Sequence, residues 1–144
     1  MALKLITIFV AVILVGAGLY ILKLLFTEDL YVSKGTIAYY VTIRSTTIKD
    51  FPRLKVIGEE DYYSSCGDGP KPPANGIRYT SSEDPLILQR SIEEYLLKRG
   101  FAKTELSSTG GAYVQSQTKT SLELAIIPEN DVQRVVATEY YLLE

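Results

Sequence analysis

Ser64, Ser65 and Cys66 place three nucleophile types side by side in the run SSCGDGPKPPANG, Ser64–Gly76. A serine or thiol attacks only when a neighbouring base takes its proton. The chain has no histidine, which removes the commonest general base, metal ligand and pH sensor. The pairing left open is serine with Lys71. Against that stands a surface loop with an inert thiol. The three Pro and three Gly of the run argue against a central strand or helix there.

Glu59-Glu60-Asp61, with Asp68 nearby, supplies carboxylate oxygens. The spacing lacks the D-x-[DN]-x-[DN]-G order of a calcium loop, and a solvated turn is the simpler reading. Glycoside hydrolysis needs two carboxyls at a fixed gap, and 17 acidic residues nominate no particular pair. Thr118-Lys119-Thr120 has the ending of a phosphate-binding loop but lacks the glycines that form the cradle. The single cysteine rules out a disulfide within the chain and a thiolate zinc cluster. No N-x-S/T sequon is present. The chemistry predicted is therefore non-enzymatic, with no cofactor and no metal.

Tyrosine is the distinctive side chain, 11 in all, with pairs at Tyr39-Tyr40, Tyr62-Tyr63 and Tyr140-Tyr141. On a strand, neighbours point to opposite faces, so one of each pair is core and the other faces out. Outward tyrosines suit protein interfaces and carbohydrate contacts. The candidate interface residues are Tyr40, Tyr62, Tyr63, Tyr140 and Tyr141. Tyrosine also favours strands for packing reasons alone.

The element that must carry this surface is the apolar run Leu5–Phe26, LITIFVAVILVGAGLYILKLLF, broken only by Lys23. A bilayer core of about 30 Å needs about 20 such residues in a helix. Lys23 near the end reaches the headgroups on its long stem. A cleaved signal peptide would have to end at Val15-Gly16-Ala17 or Gly16-Ala17-Gly18, leaving an exposed apolar start. An uncleaved signal-anchor is the better fit, with the C-terminal domain outside the cytoplasm. Gly16, Ala17 and Gly18 form a small-residue notch for a neighbouring helix.

Residues after Phe26 suffice for one domain. Without Lys4 and Lys23 it keeps 13 of the 15 basic residues against all 17 acidic ones. A basic footprint for nucleic acid is missing, as is a juxtamembrane basic cluster for anionic lipid. Residues 27–35 read as a tether. Thr36–Ile43, rich in β-branched and aromatic residues, reads as a first strand. Ser45-Thr-Thr47 caps a short helical turn, and Leu54–Ile57 reads as a short strand closed by Gly58. Ile77–Thr80 reads as a strand leading into a helix. That helix has Ser82 or Asp84 as cap, Pro85 in its first turn, a Leu88/Ile92/Tyr95/Leu96 stripe and Gly100 as terminator. Strand patterns follow at Ala102–Leu106, Ala112–Gln117, Ser121–Ile127 and Val132–Leu142, with a turn at Pro128–Asp131.

The fold class predicted is α+β: a single N-terminal transmembrane helix (residues 1–26), then one domain (36–144) of mostly antiparallel sheet with one helix packed on one face. The function predicted is a single-pass membrane-anchored binding or assembly module, an accessory subunit of a membrane complex. Its partners are the lipid bilayer and other membrane or envelope proteins, not nucleic acid. The alternatives are a membrane-anchored inhibitor or immunity-type protein, and a membrane-tethered hydrolase without histidine.

Overall fold

A computed structural model describes residues 2–68, 70–107 and 110–142. The apolar run forms helix α1, Ala2–Leu25. Its 24 residues reach about 36 Å at 1.5 Å each, and Lys4–Leu25 is long and apolar enough to cross a membrane. Leu24 is buried at the junction with the domain, whereas Leu5, Phe9 and Leu14 are all more than 60 % exposed. Thr27 closes the helix by donating its hydroxyl to the Lys23 carbonyl at 2.8 Å.

Seven antiparallel strands follow: β1 Leu30–Ser33, β2 Val56–Ser65, β3 Ala74–Ser81, β4 Ala102–Ser107, β5 Gly110–Gln115, β6 Thr120–Glu129 and β7 Val132–Tyr141. They form one sheet in the order β1-β2-β3-β7-β6-β5-β4. Three short helices join them: α2 Ile37–Thr42, α3 Thr46–Lys49 and α4 Pro85–Lys98. The chain winds outward-in through β1, β2 and β3. It then crosses on α4 to the far edge and meanders back, so β7 closes beside β3.

The helix α4 forms as its signals predict. Asp84 accepts the Leu86 and Ile87 amides, Pro85 sits in the first turn, and Gly100 takes a positive φ of 83°. Leu88, Ile92 and Leu96 are fully buried, which fixes which face meets the sheet. They pack with Phe101, Tyr79, Tyr113, Leu122, Ile126 and Val135 in one core. Tyr95 is only partly buried and packs against that core. Burying each such side chain is worth about 1.5–3 kcal/mol.

Six sequence expectations are corrected. Thr36–Ile43 is not a strand. Thr36 caps α2 by accepting the Tyr39 amide at 3.2 Å, and the buried residues Tyr39, Thr42 and Ile43 recur at helical spacing. The β-branched content signalled burial, and the packing decided the geometry. The 27–35 tether contains β1, whose Tyr31 pairs with Tyr63 on β2. Gly58 does not end a strand: β2 runs through it with a register shift between Ile57 and Asp61. The loop after Ser65 is shorter than expected, because β3 begins at Ala74 and pairs with β2 from there. The Pro128–Asp131 turn also tightens to Asn130-Asp131, between paired Glu129 and Val132, with Asn130 at φ 54°, as tight hairpins require. The expectation of one helix on the sheet becomes three, since α2 and α3 bury Tyr39, Thr47 and Ile48 beside α4.

Candidate functional site

Strand alternation sorts the tyrosines. Tyr62 is fully buried and presents no surface. Its ring packs edge-on to Tyr39 at 4.7 Å, and its hydroxyl donates to Glu60 at 2.8 Å. Burial and that carboxylate both push its phenol well above the ordinary range. Tyr40 is 68 % exposed on α2. Tyr63 and Tyr140 are half-buried on the sheet face opposite the core, and Tyr141, one residue on, points to the helix side.

The core-free face gathers residues from across the sheet. Tyr31 packs on Tyr63 with ring centroids 5.4 Å apart. Arg78 lies over the Tyr31 ring at 5.4 Å and pairs with Asp61 at 2.7 Å. Tyr63 donates to Asp29 at 2.5 Å. Burial first, then that carboxylate, pushes its phenol up to about 12. Gly76 lies between Tyr63 and Thr138 in the ladder, where an added Cβ would meet the Ala137 carbonyl at 2.9 Å. Tyr140 reaches Glu123 at 3.3 Å. Sequence reasoning missed Tyr31 as a member of this face, because its strand exists only through pairing with β2.

On the opposite side, a cavity of ≈1000 Å³ opens between the end of α1 and the sheet. Leu24, Leu25 and Phe26 form one wall. The floor is a buried polar network. Asn75 Oδ1 accepts the Arg44 and Ser45 backbone amides at 2.8 and 3.0 Å and the Tyr141 hydroxyl at 3.3 Å. Asn75 Nδ2 donates to the Thr42 carbonyl at 3.1 Å and to Ser64 Oγ at 3.2 Å. Ser45 Oγ caps α3 by accepting the Ile48 amide at 2.9 Å and donates a short hydrogen bond to Glu139 Oε2. Glu139 is 4 % exposed. Burial, and next the Glu139 carboxylate, push the Tyr141 phenol up to about 12. No signal in the sequence pointed to this cluster.

The chemistry weighed from sequence is dispersed. Ser64 Oγ donates to the Thr42 carbonyl at 3.2 Å, and Ser65 Oγ accepts the Gly67 amide at 3.3 Å. Lys71 pairs with Asp68 through the backbone, and no hydrogen bond joins it to either serine among the described residues. Glu59-Glu60-Asp61 lies on β2, where alternation separates the carboxylates. Glu60 takes Arg53 at 3.0 Å and Asp61 takes Arg78. Among the described residues no group of three potential metal ligands converges. Gly16 and Gly18 lie on bare helix surface, with no atom within 4 Å of an added Cβ.

No protein-family model, curated protein or solved structure matches the chain.

Proposed function

We propose that this chain is a single-pass, membrane-anchored binding and assembly module, an accessory subunit that holds a neighbouring membrane or envelope protein. In this reading α1 crosses the bilayer and the domain lies outside the cytoplasm. The observation that carries it is the one-sided sheet: α2, α3 and α4 bury their residues on one face, and the other displays Tyr31, Tyr63, Tyr140 and Arg78. Tyrosine and arginine are the side chains that dominate protein-interface energetics.

Size supports the reading. Six gaps between seven strands at about 4.8 Å make a face about 29 Å across. With strands of ordinary length this approaches the roughly 800 Å² that each partner contributes to a stable complex. The burial of Leu24 ties the end of α1 to the domain, so the face is held near the membrane rather than on a loose tether.

A hydrolase is the weaker reading, because Ser64 and Ser65 bond to backbone groups and Ser45 serves as a helix cap. Gentle detergent extraction from the native membrane, followed by mass measurement of the intact assembly, tests the proposal. A stoichiometric protein partner is expected. A clean monomer would contradict it.

A further inference from the structure

We propose that the cavity at the end of α1 binds the headgroup of an aminophospholipid, taking its ammonium at Glu139 and its phosphodiester at Arg44. The inference rests on the membrane placement of α1 proposed above, and not on the open sheet face.

With α1 across the bilayer, Lys23 lies at headgroup level, and the cavity walled by Leu24, Leu25 and Phe26 opens at that depth. At ≈1000 Å³ it is at the top of the roughly 300–1,000 Å³ range of small-molecule sites. The apolar wall continues the surface along which an acyl chain runs, and the floor is polar.

Two charged groups of opposite sign, Arg44 and Glu139, line the cavity. Glu139 is 4 % exposed and one of its oxygens is held by Ser45. The other takes no hydrogen bond from any described residue. Glu139 lines the cavity, and a carboxylate in such low-dielectric surroundings favours a ligand that supplies charged N–H donors. Arg44 uses only its backbone amide, on Asn75, and its guanidinium makes no ion pair among the described residues. The second arginine of the lining, Arg99, is already committed to Asp50 and Thr46.

One unpaired cation and one buried anion complement a zwitterion rather than an anionic lipid. A primary ammonium has three N–H donors for the Glu139 carboxylate. A quaternary choline has none and is held instead by aromatic cages, whereas this lining offers only Phe26 and Tyr141. The site should therefore select phosphatidylethanolamine over phosphatidylcholine.

Native mass spectrometry of the full chain in mild detergent, titrated with the two lipids at matched acyl chains, tests this. The expected result is at least about tenfold more phosphatidylethanolamine adduct, reduced to parity in Glu139→Gln, with the adducts of both lipids weakened in Arg44→Ala. Arg44 is exposed, so its variant reports on binding even if Glu139→Gln alters the fold, which near-ultraviolet circular dichroism of the tyrosines monitors. Soluble glycerophosphoethanolamine forms the second arm. Its binding without any lipid adduct would overturn the lipid as source. Equal adducts of both lipids, or adduct levels of both untouched by Arg44→Ala, would overturn the headgroup assignment. Carbonate extraction of membranes reports the placement of α1 separately. A chain retained in the pellet that binds both lipids alike refutes the headgroup assignment alone, and a chain released from the pellet refutes the placement as well.

Discussion

The side-chain carbonyl of Asn75, on the inner strand β3, accepts the backbone amide of Ser45 at 3.0 Å. The two residues are 30 positions apart. With the Arg44 amide on the same oxygen, this contact fixes where α2 ends and α3 begins. Asn75→Ala would strand both amides in a buried setting, each worth about 1–3 kcal/mol. We expect a loss of about 2–4 kcal/mol, and a smaller loss for Asn75→Asp, which keeps the acceptor. Urea unfolding in detergent, followed by the near-ultraviolet signal of the tyrosines, measures both.

The anchoring of α4 predicts a contrast along one helix. Ile92 is fully buried and Leu97 is 60 % exposed. Ile92→Ala should cost about 2–5 kcal/mol through lost burial and a cavity. Leu97→Ala should stay within about 0.5 kcal/mol, as surface substitutions do. The same unfolding experiment reads both.

Alkali should unfold the domain cooperatively. Tyr63, Tyr113 and Tyr141 are pushed from 10.0 to about 12, burial being the first cause in each. The folded state thus keeps phenol protons that the unfolded state releases. Their contribution is fully present below pH 10 and is lost as pH rises through about 12. Tyrosinate absorbance is expected to rise late and together with loss of the near-ultraviolet signal. Early, gradual ionisation of all the tyrosines would contradict this. Glu93 works in the opposite direction. Its hydrogen bond from Lys103, at 2.7 Å, holds its pKa below the ordinary value, so its contribution is present above that value and fades as pH falls.

Gly67 should tolerate no side chain. It adopts a φ of +82°, and an added Cβ would lie 2.8 Å from the Lys71 carbonyl and 2.9 Å from the Pro73 nitrogen. Gly35 has a similar φ of +90° but open space around it. Gly35→Ala should cost about 1–2 kcal/mol from the left-handed backbone alone, and Gly67→Ala clearly more. Thermal unfolding of the two variants side by side checks the order.

These residues also show what the sequence made legible. α4 could be read because its cap, its apolar stripe and its terminator all lie within one segment. Strands β6 and β7 carried their own alternation. α2 could not be read, because six residues of β-branched and aromatic type announce burial without saying in which backbone. β1 was hidden because four residues become a strand only through β2. The cavity was hidden for a deeper reason. Ser45 and Glu139 are 94 positions apart, and sheet register alone sets Glu139 beside Asn75. The candidate interface tyrosines were half legible: alternation separates Tyr62 from Tyr63, but only the packed helices reveal which of the two is buried.

The most direct test of the binding-module account is photo-crosslinking in the native membrane. A photoreactive residue replaces Tyr63 or Tyr140 on the open face, with Leu97 on α4 as the control. The account predicts a discrete membrane-protein adduct from both tyrosine positions and none from Leu97. No adduct from either tyrosine position, in a chain that remains folded and membrane-bound, would contradict it.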